Sequence, residues 1–355
     1  MVIKAAVVLA GRPRKGAGAM QQELATRYPL VLVPGMLGFV RVVLYPYWFG
    51  IVPALRQGGA QVFPVQVSPL HSSEVRGEQL LAIIEDICLR TGAEKVNLIG
   101  HSQGALSARY AAARRPGRVA SVTSVAGPNH GSELADYLER TAPGDSPQGR
   151  ILKAVLHGLA VLLVWLETGW RRDPLPVDVH ASHQSLTSAG VALFNQAYPQ
   201  GLPGTWGGEG AYEVDGVRYY SWSGTLQSGL TDQRRNRFDG SSHFCRLFAR
   251  SFVKEKGYCD GMVGRFSSHL GQVIGDDYPL DHLDIVNQSL GAVGKGAEPV
   301  RLFTEHAARL KAAGSSDGSV WSSARPAPRP PGSAGRRPGD SGPAARRAPR
   351  RRSVP

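Results

Sequence analysis

The stretch VNLIGHSQGALSARYAAARRP, Val96–Pro116, decides how this chain is read. An apolar run, Val96–Ile99, ends in Gly100-His101-Ser102-Gln103-Gly104 and passes straight into an alanine-rich segment. Glycines stand two residues before and two after Ser102. This is the G-x-S-x-G pattern, in which a serine sits on a strained strand-to-helix turn with its hydroxyl exposed. Gly100 and Gly104 carry no Cβ, so strand and helix can approach closely on both sides of the turn. An ordinary βα turn with a capping serine uses similar strings. The rest of the chain has to supply the other parts of a hydrolase.

Outward from the elbow, short β-branched runs alternate with helical segments. YPLVLVPG, from Tyr28, is near-continuously apolar, as a buried parallel strand is. AQVFPVQV reads as a second strand. SEVRGEQLLAIIEDICLRTG follows, with Leu80, Ile83, Ile84 and Ile87 on one helical stripe and Gly92 at its end. VASVTSVAG supplies the strand after the elbow helix. This rhythm predicts an α/β fold with right-handed crossovers, and no repeat of fixed period is present. From Thr141 to Pro203 a long apolar segment and loops interrupt it. GVRYYSWSG restores a strand, and FTEHAARLKAA predicts a closing helix.

Charge is concentrated at the ends. The chain has 355 residues and a formal charge of +13. Gly314–Pro355 holds nine arginines against two aspartates, and Met1–Arg27 holds five basic residues against Glu23. The body between is left at about +2. A nucleic-acid footprint belongs on the folded domain, so no nucleic-acid partner is expected. The tail is rich in Pro, Gly and Arg, lacks large apolar residues, and is expected to be disordered. The N-terminal MVIKAAVVLAGRPRKGAGAM is only weakly signal-like: its apolar core is short and basic residues follow at once. The expected division is an N-terminal extension over 1–27, one catalytic domain over 28–313 and a tail over 314–355. Cys88, Cys245 and Cys259 cannot form a paired framework, so no disulfide is expected.

A serine nucleophile needs a base within hydrogen-bond reach, and the base needs a carboxylate on its other nitrogen. In an α/β-hydrolase the order is Ser, acid, His. Most of the ten histidines sit too early or on helices, as His157 and His306 do. His282 lies in a loop after the strand-like QVIG. Asp260, at an Asp-Gly turn, precedes it. Asp276, Asp277, Asp281 and Asp284 remain rival acids, and for either Asp260 or His282 taken alone a surface loop is the better explanation.

The segments YPLVLVPGMLGF, VNLIGHSQG, NHGSELAD, GGEGAYEVDGVRYYSWSG, DGMVG and HLDIVNQ together resemble bacterial family I triacylglycerol lipases of the Pseudomonas, Burkholderia and Proteus type, in order from about Tyr28 to Lys311. The resemblance implies an α/β-hydrolase fold, with a mostly parallel sheet flanked by helices, and a helical lid over roughly 141–175. It puts the nucleophile on Ser102, the acid on Asp260 and the base on His282. It also implies an oxyanion hole from the backbone N–H groups of Met36 and Gln103. Relatives have His-Gly where this chain has Pro34-Gly35, which leaves main-chain donors intact. It implies a calcium ion held by Asp239, Asp284 and the carbonyls of Gln288 and Ala292. Hard oxygen donors suit that ion, although the residues alone read better as a surface aspartate pair, and only the resemblance favours calcium. Many relatives bridge cysteines near the positions of Gly207 and Phe266. Both are missing here, as in the disulfide-free Proteus-like branch.

The function expected is hydrolysis of long-chain acylglycerols at a lipid–water interface by a monomer. A short-chain esterase or thioesterase on the same residues is the nearest alternative, and a non-catalytic lipid-binding protein is the more distant one. Relatives act outside the cell, which implies secretion. The unpersuasive N-terminus keeps a cytoplasmic location open. ILKAVLHGLAVLLVWLET, Ile151–Thr168, is apolar almost all round, falls where the lid lies, and is short for a membrane span. It is expected to cover Ser102, with burial as a core helix the alternative.

Overall fold

The computed structural model describes residues 23–42, 44–168, 175–226, 240–294 and 296–321. Among these residues, seven strands form one sheet around β1 (Leu30–Val33). β1 lies between β4 (Val62–Pro64) and β5 (Val96–His101), both parallel to it. The sheet continues in parallel through β6 (Val119–Val125), β8 (Val217–Gly224) and β9 (Gln272–Tyr278). Only the short β7 (Glu213–Val214) is antiparallel, hairpinned onto β8. A separate two-stranded hairpin pairs β2 (Arg41–Val42) with β3 (Tyr45–Pro46).

The continuous apolar runs follow from burial on both faces. Successive strand residues point to opposite sides. Leu30 and Leu32 enter one core, with Ile51 and Leu55 of α1 (Ile51–Gln57) and Phe303 of α9 (Pro299–Trp321). Val31 and Val33 enter the other, with Leu80, Ile84 and Ile87 of α2 (Ser73–Thr91) and Ala108 and Ala111 of α3 (Gln103–Arg114). The Ser72 side chain caps α2 at the Val75 N–H, and Gly92 ends it in the left-handed conformation at φ 71°. α9 is anchored by buried Phe303, Ala307 and Leu310 and runs past Ala313 to Trp321. Once a helix is nucleated, each further residue adds a hydrogen bond at modest cost, which carries it into the stretch expected as tail.

The interruption after β6 holds α4 (Glu133–Thr141), α5 (Pro147–Thr168), α6 (Val179–Gln184) and α7 (Ser188–Ala197). α5 begins four residues before the apolar run, because Pro147 suits the first helical turn and needs no N–H partner there. Its Pro147–Glu167 portion, 21 residues of mean hydropathy 1.7, is long and apolar enough to cross a membrane by length and composition. Shortness therefore does not argue against a span; the docking of α5 on the domain, described below, does. The loop before β9 carries a further helix, α8 (Gly240–Phe248). Cys88, Cys245 and Cys259 are buried thiols. Where relatives of the resembled type carry a cysteine pair, a Cβ on Gly207 would stand 3.3 Å from the Phe266 ring.

Candidate active site

The carboxyl edge of the sheet gathers three side chains from distant positions. Ser102 joins β5 to α3 at φ 54° and ψ −129°, a region that costs a non-glycine residue free energy and is held by its surroundings. The turn survives because its neighbours lack side chains: a Cβ on Gly35 would lie 2.8 Å from the Ser102 Cβ. Added carbons on Gly100 and Gly104 would run into the Gly104 and Val33 carbonyls. His282 Nε2 lies 2.9 Å from Ser102 Oγ, and His282 Nδ1 lies 2.7 Å from Asp260 Oδ2. The other oxygen, Asp260 Oδ1, accepts the N–H groups of Met262 at 2.9 Å and Val263 at 2.7 Å. Asp260 and His282 are almost wholly buried, at 1% and 3% exposure. The carboxylate is thus fixed from one side and holds the imidazole from the other.

Gln103 follows Ser102 as the first residue of α3, and Met36 lines the same cavity as Ser102. Among the described residues neither backbone N–H donates to another group. The loop bearing Met36 is braced by Arg76, which is fully buried. Its guanidinium donates to the carbonyls of Pro34 at 2.5 Å and Gly35 at 3.0 Å, and to Gln103 Oε1 at 2.6 Å. Burial lowers the Arg76 pKa to about 10, so it stays cationic at neutral pH. The Gly35 carbonyl and the Met36 N–H share one peptide plane, so pinning the oxygen aims the hydrogen. Arg76 was legible as an anomaly: it falls in register with the apolar stripe Leu80, Ile84 and Ile87 of α2. Tyr47 and His101 also join the site; His101 fills the open position before Ser102 in G-x-S-x-G, and no local sequence pattern marked Tyr47.

Above Ser102 lies a cavity of about 360 Å³, walled by Leu134, Leu138, Leu152, Leu156, Val179 and Leu186. Leu152 and Leu156 come from α5. Among the described residues of α5 only Gly149, Ala160 and Val164 are buried, so it is not a core helix. Ile151, Val155 and Leu162 are 66%, 62% and 47% exposed. At 100° per residue these three lie on one stripe, opposite Ala160 and Val164. The far end of α5 is docked: the Glu167 carboxylate accepts the N–H groups of Val40 and Arg41 and the side-chain amide of Gln66.

Of the residues assigned to calcium, Asp284 is fully buried, in a helical turn at Asp284–Val286. The Gln288 carbonyl accepts the Tyr45 hydroxyl. Asp239 lies outside the described residues.

The fold defines the class, an α/β-hydrolase, with the hydrogen-bonded Ser102–His282–Asp260 chain at the carboxyl edge of its sheet. A family model for the alpha/beta hydrolase fold matches residues 28–163. A Pseudomonas fragi triacylglycerol lipase is 47% identical over 295 residues, covering 83% of this chain and 100% of that protein. A Vibrio cholerae triacylglycerol lipase is 44% identical over 301 residues, covering 84% and 93%. Among solved structures, a Staphylococcus hyicus lipase superposes with TM-score 0.57 at 15% identity, over 86% of this chain and 99% of that one. That likeness bears on the fold alone. The chain belongs to the triacylglycerol lipase family and is a carboxylic ester hydrolase.

Proposed function

We propose that this lipase-family enzyme hydrolyses long-chain acylglycerol esters at a lipid–water interface, with Ser102 as nucleophile, His282 as base and Asp260 as the acid that orients it. The observation that carries the reading is the 2.9 Å and 2.7 Å chain from Ser102 through His282 to Asp260, opening onto an apolar cavity. Ser102 Oγ attacks the ester carbonyl carbon while its proton passes to His282 Nε2. The oxyanion is received by the N–H groups of Met36 and Gln103, donors fixed before charge develops. His282 then protonates the departing alcohol, leaving an acyl-enzyme on Ser102. Water, deprotonated by His282, attacks that ester and releases the fatty acid. Asp260 holds the imidazole tautomer and stabilises the imidazolium.

The same proposal includes one structural calcium ion. Asp284 is wholly buried in the turn that follows His282. A carboxylate and backbone carbonyls are hard oxygen donors, which suit calcium. Asp239, Asp284 and the carbonyls of Gln288 and Ala292 would hold it. Gln288 keeps a second lone pair beside its bond from Tyr45. Such an ion supplies charge compensation and pins the turn after His282. Secretion belongs to this reading, since emulsified acylglycerol is its substrate.

Initial rates on emulsified triolein and on a soluble short-chain ester test the substrate class. A lipase turns over the long-chain emulsion faster, and its rate rises abruptly as substrate passes its solubility limit. A smooth hyperbola with preference for the short ester gives the esterase reading, and no turnover of either gives a lipid-binding protein.

A further inference from the structure

Tyr47 and His101 form a hydrogen-bonded path between the two halves of the site. Tyr47, just beyond β3, is 3% exposed, and His101, the last residue of β5, is 1% exposed. The Tyr47 hydroxyl accepts the Gly35 N–H at 3.0 Å and lies 2.6 Å from His101 Nδ1. His101 Nε2 lies 2.9 Å from the backbone carbonyl oxygen of His282. The His101 ring also stands against the His282 ring, with centroids 4.7 Å apart.

A single proton arrangement satisfies all of these atoms. The His282 carbonyl can only accept, so His101 Nε2 carries the hydrogen. His101 Nδ1 is then the acceptor, and the Tyr47 O–H must donate to it. The remaining Tyr47 lone pairs face the Gly35 N–H. Burial and the neighbouring His282 lower the His101 pKa well below its ordinary value, and burial raises that of Tyr47. Both groups therefore stay neutral across the working range.

We propose that Tyr47 and His101 are positioning residues for ester hydrolysis: a three-bond relay that fixes the Gly35–Met36 donor loop against the main chain of His282. It rests on the reading of Met36 as oxyanion donor and His282 as base. The relay pins the Gly35 amide nitrogen while Arg76 pins the Gly35 carbonyl, so the residue whose carbonyl shares a peptide plane with the Met36 N–H is held on both sides of its Cα. Its other terminus holds the residue whose ring moves the proton. Oxyanion donor and base are thereby kept in one frame, where displacements near 1 Å cost rate steeply.

The test is a double-mutant cycle of Tyr47→Phe and His101→Phe, which keep ring shape and remove the relay, read on a soluble short ester. Each single variant should lower kcat at least about tenfold with KM within about twofold, since donors are misaimed while the acyl cavity is intact. The double variant should be no slower than the slower single, because both break one chain. Affinity for a boronic acid that forms a tetrahedral adduct should fall by the same factor as kcat/KM. Tyr212→Phe, which loses the Tyr212–Tyr220 hydroxyl contact at the sheet edge, should leave kcat unchanged. Full kcat in both singles, or losses that multiply in the double, overturns the relay. Should Tyr47→Phe not fold, the kcat–KM split and boronate affinity of His101→Phe decide alone. Wild-type hydrolysis that depends on Ser102 separates failure of the relay from failure of the proposed function.

Discussion

Replacing Ile151, Val155 and Leu162 together by serine should strip the outer stripe of α5 of its affinity for lipid while sparing the chemistry. These side chains are 66%, 62% and 47% exposed, so they stand in water already and contribute little to the core. Full burial of such a side chain is worth about 1.5–3 kcal/mol. Scaled by exposure, each gains about 1–2 kcal/mol on entering a lipid surface, and the three together gain about 3–5 kcal/mol. At about 1.4 kcal/mol per decade, adsorption should weaken by about two to four orders of magnitude. The assay is depletion of protein from solution by a trioleoylglycerol emulsion, alongside initial rates on that emulsion and on a soluble short ester. Adsorption and emulsion rate should fall together, with the soluble rate within about twofold, because Leu152 and Leu156 still wall the cavity. Equal losses on both substrates, or unchanged adsorption, would refute the interfacial role of this stripe.

Asp260→Asn should cost several orders of magnitude in kcat, yet less than Ser102→Ala or His282→Ala, because nucleophile and base both survive. Full activity in Asp260→Asn, with loss in Asp276→Asn, would move the acid to β9. Chelation should lower melting temperature and activity together, and calcium should restore both. A ligand at a hundredfold excess over Kd stabilises by about 2.7 kcal/mol, and Asp284→Ala should abolish the shift. A melting curve indifferent to chelator would exclude the ion. Burial outweighs the amide hydrogen bonds from Phe266 and Ser267 and pushes the Glu255 carboxyl up to about 7. The folded state then binds its proton more tightly than the unfolded chain, so this contribution to stability falls as pH rises from about 4.5 to about 7. Glu255→Gln should flatten that part of the melting-temperature profile, and an unchanged slope would place the effect elsewhere.

The parts of the fold that sequence exposes are those whose physics is local. The β5–α3 elbow is legible because Gly100 and Gly104 must lack side chains where strand and helix cross. β1 is legible because burial on both faces removes polar alternation. Order along the chain and an Asp-Gly turn point to Asp260 and His282, but only the resemblance chose them over Asp276, Asp277, Asp281 and Asp284. The relay was not legible: Tyr47 and His101 are 54 positions apart, and His101 lies 181 positions from its acceptor. Neither end has a spacing rule. The docking of Glu167 onto Val40 and Arg41 spans a similar gap, and a lone acid ending an apolar helix gives no hint of its partners. The start of α5 was hidden because Gln148, Gly149 and Arg150 are polar, so the apolar period begins a turn late.

The most direct test of the central claim is labelling with a fluorophosphonate followed by peptide mass mapping, with triolein hydrolysis followed in parallel. A serine hydroxyl is a weak nucleophile unless a base takes its proton, so only an activated serine reacts at an appreciable rate. The account predicts stoichiometric modification of Ser102, loss of lipase activity in step with labelling, and no reaction in Ser102→Ala or His282→Ala. Modification of a different serine, or triolein hydrolysis that persists after Ser102 is fully labelled, would contradict it.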